Sequence, residues 1–258
     1  MRPFLYIIIK KQEKFMAVKI YMTNLKGGTG VTTCCIGLGL ALAKLGERTL
    51  ILDGDKYSAG AFTASGLQNM QFYTLADYER GACRAKQTVV SHPQTVNLAL
   101  SSSLGLKNEK FAEAAVVELD GLFDYILLDR IAPKKCNSAI IVTEPYTPSI
   151  KSSDACKAAL SDSGIKDISL IVNKLCGGQI ITGEVLTAQE IASLLHLPLK
   201  AVIPEDLSLP LGKWKISTVK AFKAAAETIS GKRESLCNVL KPYFGFNGYI
   251  KRKVRERM

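Results

Sequence analysis

Residues Lys26-Gly27-Gly28-Thr29-Gly30-Val31-Thr32-Thr33 bring together the groups that hold a phosphate. Glycines let backbone N–H groups turn inward around anionic oxygens. A helix opening directly behind such a loop adds partial positive charge at its N-terminus. The Thr32 hydroxyl is a candidate Mg²⁺ ligand, as the Ser/Thr of a phosphate loop is. A glycine-rich turn with no ligand would not need Lys26, three glycines and paired threonines in this register. The chemistry expected here is nucleotide binding.

That loop needs a strand before it and a helix after it. Residues 17–24 (AVKIYMTN) read as the strand, and 32–45 as the helix, stopped at Gly46. Strand-like runs recur at 48–53, 96–100, 123–128, 139–143, 168–173 and 200–203. Most are continuously apolar, as in TLILD, DYILLD and AIIVT, which suits strands buried on both faces of a parallel sheet. Helix-like segments fall between them, at 72–80, 108–119, 151–163, 187–195 and 217–230. The alternation predicts one doubly wound α/β domain, with a mostly parallel sheet flanked by helices.

Composition excludes several other classes. The chain has 258 residues, 47% hydrophobic and 22% charged, which is ordinary globular composition. Seven cysteines, an odd number with no CxxC spacing, argue against a disulfide framework or a zinc finger. Only His92 and His196 are present, too few for His-rich metal sites. No apolar run approaches the roughly 18 residues of a membrane span. A cytoplasmic protein is expected.

The loop resembles the deviant Walker A box, KGGxGK[ST][ST], of the MinD/ParA family. The resemblance covers roughly residues 17–230 and is stronger to MinD than to plasmid ParA. Leu52-Asp53-Gly54-Asp55 resembles the family's switch I, and Phe123 to Asp129 its Walker B strand and switch II aspartate. Ile141 to Pro145 with Ser149 to Asp154 is similar to VTxPExSSVRDSD. Leu170 to Lys174 is similar to IVNR, Val202 to Asp206 to GVIPED, and Tyr73 to Cys83 to YDLxDVLxG. The resemblance implies a P-loop NTPase fold and an Mg-ATP-driven switch. ATP rather than GTP is part of that implication. Such proteins dimerise around the nucleotide, engage membrane or DNA and a regulatory protein, and release on hydrolysis to ADP and phosphate.

Residue roles follow from the same resemblance. Lys26 is the signature lysine, which crosses the dimer to the partner's phosphates. Asp55 positions the attacking water. Asp53 and Asp129 support Mg²⁺ beside Thr32, so Lys26, Asp55 and Asp129 form the catalytic set. Residues 26–33 (Lys26, Gly27, Gly28, Thr29, Gly30, Val31, Thr32, Thr33) cradle the phosphates. Asn173 hydrogen-bonds adenine, and Pro204, Glu205 and Asp206 form the other wall of the base pocket.

Two departures from the family pattern weaken the hydrolysis reading. Val31 stands where the second loop lysine belongs. A charge-assisted hydrogen bond contributes about 1.5–3 kcal/mol, so nucleotide affinity falls about 10- to 100-fold without it. Some relatives in the CpaE/TadZ branch also carry a small residue here, so Val31 is compatible with the fold. Asp129-Arg130-Ile131-Ala132-Pro133 runs almost directly into the next strand, leaving no room for the usual switch II helix. Binding with slow or absent hydrolysis is expected. The competing reading is a non-hydrolysing scaffold, and a third is a DNA-partition protein.

The net charge of +11 is uneven. Residues 1–15 carry Arg2, Lys10, Lys11 and Lys14 against Glu13. They read either as sequence upstream of a start at Met16 or as a basic tail. The nucleotide-binding domain is assigned to 16–231 and a basic tail to 232–258. In that tail Tyr243, Phe246, Ile250 and Val254 fall at helical spacing, and six basic residues between 241 and 258 face one acidic residue. Three readings stay open: an amphipathic anchor on anionic membrane, at about 1 kcal/mol per basic residue, a solvated tail, or a nonspecific nucleic-acid contact. Cys34 and Cys35 read as core, Cys176-Gly177-Gly178 as a turn, His196 as a cap or a satisfied surface histidine, and Trp214 as partly buried.

Overall fold

The computed structural model describes residues 16–67, 69–70, 73–131, 136, 138–209 and 213–243. The N-terminal extension, residues 244–258 of the tail and most of the short link after Ile131 lie outside the described residues. Eight strands are described: β1 (Val18–Thr23), β2 (Thr49–Asp53), β3 (Val90–Ser91), β4 (Leu98–Ser102), β5 (Tyr125–Asp129), β6 (Ser138–Thr143), β7 (Asp167–Leu175) and β8 (Leu199–Pro204). They form one sheet in the order β3-β4-β2-β5-β1-β6-β7-β8. All neighbours are parallel except the β3–β4 pair.

The sheet is doubly wound because each inner strand feeds two cores with alternate residues. In β5, Leu127 packs into one cluster, while Ile126 and Leu128 pack into another. In β6, Ile140 and Val142 join the first, and Ala139 and Ile141 a third. The helix α1 (Val31–Lys44) and the last long helix (Ile216–Ile229) cover the first face. Fully burying one such Leu or Ile contributes about 1.5–3 kcal/mol, so continuous apolar runs hold the sheet from both sides.

The predicted elements hold, with shifts that have local causes. The short helix α2 (Gly60–Ala64) and α3 (Leu75–Glu79) precede α4 (Lys110–Leu119). Thr74 starts α3 through a capping box with Asp77, so the 72–80 segment begins late. The helix α5 (Thr147–Asp162) begins before position 151, because Pro148 fits a first turn, where its missing N–H costs nothing. Gly177–Ile181 is a short helix, α6, rather than a turn. The helix α7 (Ala188–Leu195) ends on His196 in the left-handed region, φ +50°, as a cap. The helix α8 (Ile216–Ile229) packs on α1; Cys34 and Cys35 are buried, and the Trp214 ring lies tilted against Phe222 with centroids 5.4 Å apart.

Residues 232–243, assigned by sequence to the tail, lie against this domain. Cys237 and Val239 pack on core clusters, and Lys232 pairs with Glu47 at 2.7 Å. Among the described residues, no helix is long and apolar enough to cross a membrane.

Candidate functional site

The parallel order puts the loops after β1, β2, β5 and β7 at one edge of the sheet, where open α/β sheets bind ligands. The phosphate loop leaves β1 and enters α1 at Gly30, φ +88°. No side chain caps α1, so the donors of its first turn are left for a ligand or water. A Cβ at Gly30 would meet Asn173 Nδ2 at 2.3 Å; only glycine fits both the backbone and the neighbour. Asn24 ties the loop's entrance to the next strand and helix. Its Nδ2 donates to the Val142 carbonyl and to Ser153 Oγ, and its Oδ1 accepts from the Lys26 N–H at 2.9 Å.

Val31 is 1% exposed and belongs to the apolar core. The position of the missing lysine is thus a packing position in this chain. The loop departs from the general G-x-x-x-x-G-K-[ST] pattern at a second place that sequence reasoning passed over. Leu25 stands where the first glycine belongs, and its side chain is exposed, so it crowds nothing.

Asp53 and Asp129 are register partners at the ends of β2 and β5, and both are buried. Burial raises both carboxyls, Asp129 to about 6 despite a lowering hydrogen bond from Thr32. Their arrangements differ. Asp53 is spent on the chain: Oδ1 accepts from Asp55 N–H at 3.0 Å and Oδ2 from Ala61 N–H at 2.8 Å. Asp129 Oδ1 has no hydrogen-bond partner among the described residues. Asp55 also turns back on its own loop. It accepts from the Tyr57 and Ser58 N–H groups and the Ser58 hydroxyl, and the Ser58 hydroxyl leads in lowering its carboxyl.

Arg130 was missed at the sequence level. It lies at φ +58° with Nε 3.9 Å from Asp129 Oδ1, and its charge lowers Asp53, Asp55 and Asp129 alike. A basic residue directly after a buried aspartate was the available signal.

Lys26 Nζ lies 3.2 Å from Glu144 Oε2, and Lys174 Nζ lies 2.6 Å from Glu144 Oε1. Burial alone would raise Glu144, but the two lysines, Lys174 foremost, lower it. Asn173 is buried and donates to the Thr29 carbonyl at 2.9 Å. Asp206 is buried and holds the approach to α8. It accepts from the Ser208 hydroxyl foremost, and from the Lys215 N–H, the Thr218 hydroxyl and the Ser208 N–H. Burial would raise it; those bonds lower it to about 2. Glu205 is exposed, and Pro204 is partly buried at the end of β8.

The residues present fit an Mg²⁺-nucleotide. Among the described residues, Thr29 Oγ1 and Asp129 Oδ1 are buried polar atoms without a hydrogen bond, a costly state unless something supplies one. Thr32, the second residue of α1, bonds to Asp129. A cation brought by phosphates would meet a hydroxyl and a carboxylate there.

A parallel sheet with a glycine loop feeding its first long helix, facing a buried aspartate on the neighbouring strand, defines a P-loop nucleotide-binding α/β domain. The septum site-determining protein MinD of Thermotoga maritima is 32% identical over 203 residues, covering 72% of this chain and 75% of its own. The MinD cell division protein of Aquifex aeolicus superposes with a TM-score of 0.77 at 25% identity, over 86% of this chain and 100% of that one. In its MinC:MinD complex the values are 0.78 and 24%, over 86% of this chain and 99% of that one. MinD of Pyrococcus horikoshii, solved with Mg-ADP, shares the fold with a TM-score of 0.72 at 23% identity, over 83% and 96% of the two chains. No protein-family model matches the chain. The chain belongs to the MinD/ParA family, on its MinD side.

Proposed function

We propose that this protein is an ATP-dependent positioning switch that binds Mg-ATP in the 26–33 loop and dimerises around it. The carrying observation is the buried Asp129 oxygen that no hydrogen bond reaches, with only Arg130 near it, beside Thr32 at the foot of an uncapped glycine loop. Backbone N–H groups of the loop bind the phosphates. Thr32 and Asp129 hold Mg²⁺, which, when bound, neutralises phosphate charge. Asp53 sets the switch I backbone through its two N–H bonds rather than touching the metal. Asn173 and residues 204–206 lie toward the base, with Asp206 shaping that wall from within.

Hydrolysis to ADP and phosphate is slow in this reading. Val31 supplies no charge, and Asp55 must leave its own turn to orient water. The regulatory partner is a protein, as MinC is for the Aquifex aeolicus MinD in their solved complex. The basic tail brings the dimer to the inner face of the cell membrane, from a cytoplasmic pool. A second reading, a non-hydrolysing nucleotide-stabilised scaffold, is favoured by the burial of Val31 in the core. A ParA-like DNA contact through the tail is the remaining alternative.

Steady-state phosphate release by the full chain, with and without liposomes, separates these. Turnover lost in Asp55→Ala supports the switch, and a rate equal to buffer supports the scaffold. Loss of liposome binding without loss of DNA binding, after removing residues 244–258, supports the membrane surface.

A further inference from the structure

The strand β7 changes geometry where it reaches the phosphate loop. Its pairing with β8 slips register between Val172 and Leu175, and Lys174 adopts φ +55°, a region L side chains rarely enter. In a regular strand the side chains of residues 173 and 174 would point to opposite faces. Here both reach the same loop. Asn173 Nδ2 donates to the Thr29 carbonyl at 2.9 Å, and Lys174 Nζ donates to the Gly28 carbonyl at 2.7 Å. A backbone irregularity that re-aims side chains at a ligand site is a recurrent functional device.

The peptide group is planar and trans, so a carbonyl and the N–H of the next residue point in opposite directions. Holding the Gly28 and Thr29 carbonyls from the β7 side therefore turns the Thr29 and Gly30 N–H groups the other way. Those are N–H groups a phosphate would use. Lys174 is itself fixed by Glu144 at 2.6 Å, a carboxylate whose side chain is 10% exposed.

We propose that Lys174, held by Glu144, is a positioning residue that locks the Gly28–Thr29 peptide in the phosphate-binding orientation, beside the Thr29–Gly30 peptide held by Asn173. This bracing offsets part of what Val31 withholds. The proposal rests on the nucleotide reading above and assigns Lys174 no contact with the phosphates. Its requirement is a donor at that point: arginine preserves the brace and methionine removes it.

The test uses the full chain and its Lys174→Met, Lys174→Arg and Glu144→Gln variants. Calorimetric titration with Mg-ADP and Mg-ATP gives affinity, and hydrogen exchange of residues 26–33 without nucleotide gives loop order. Lys174→Met is expected to weaken both nucleotides about tenfold and to speed loop exchange by a similar factor, because one charge-assisted brace is lost. Glu144→Gln shifts both readouts the same way, and Lys174→Arg stays within about threefold of the parent. Unchanged loop exchange in both Lys174→Met and Glu144→Gln overturns the brace, whatever the nucleotide does. Normal loop exchange differences with no nucleotide binding by the parent leave the brace standing and overturn the function proposed above. A parent that binds, with Lys174→Met binding equally well, overturns the positioning role.

Discussion

The Gly54 N–H donates to the Asp129 carbonyl at 2.9 Å, and a Cβ on Gly54 would lie 2.3 Å from that same oxygen. The loop after β2 and the end of β5 are therefore joined backbone to backbone, with no space for a side chain. Gly54→Ala is expected to force them apart, costing about 1–3 kcal/mol as overpacking does. A melting temperature lowered by several degrees, together with weaker Mg-nucleotide binding, checks it; an unchanged melting curve contradicts it.

Val31→Lys tests the missing charge. The lysine must leave a core position that is 1% exposed, so thermal stability falls by about 1 kcal/mol or more. Mg-ADP affinity is expected to rise about tenfold from one regained charge-assisted bond. Calorimetry of binding and of unfolding reads both effects on one sample.

Much of this was legible in the sequence because the fold and the phosphate loop are local patterns. Continuous apolar runs such as Tyr125 to Asp129 and the glycine spacing of residues 27–30 declare their own geometry. The contributions of Lys174 and Glu144, and the backbone geometry of Arg130, were not legible. They depend on a register slip in β7, on left-handed backbone at Lys174 and Arg130, and on a carboxylate 30 positions from its lysine. None of these leaves a periodic trace. The helix α5 starts at Thr147 rather than 151, because Pro148 is accommodated in its first turn.

The Asp206 carboxylate gives an acid-side prediction. Its folded value is lowered to about 2 by hydrogen bonds that outweigh its burial. A lowered value means that its stabilisation is complete above the unfolded carboxylate range near pH 4 and is lost as pH falls toward 2. The difference in unfolding free energy between the parent and Asp206→Asn should be about 2 kcal/mol at pH 6 and shrink steadily below pH 4. A difference independent of pH between 6 and 2.5 would show that the carboxylate's charge is not what holds the α8 entrance.

Asp53 is predicted to matter for order rather than for the metal. Replacing it with alanine strands the Asp55 and Ala61 N–H groups, at about 1–3 kcal/mol. Hydrogen exchange in residues 54–61 should rise in the nucleotide-free protein. If exchange is unchanged and only Mg²⁺ dependence shifts, Asp53 is a ligand after all.

Lys26 sits with Glu144 in the single chain. Lys26→Ala is expected to leave monomer affinity for Mg-ADP within about threefold, since its present partner is a carboxylate. The same change should abolish the ATP-dependent increase in mass seen by light scattering. A variant that still dimerises on ATP removes Lys26 from the interface.

The most direct test of the account is calorimetric titration of Mg-ATP, and separately Mg-ADP, into the full chain. One site per chain is expected, with micromolar affinity, about −8 kcal/mol, carried by the glycine loop without a lysine at position 31. No heat of binding up to millimolar Mg-ATP would contradict it, and would leave a P-loop fold that holds its shape without a nucleotide.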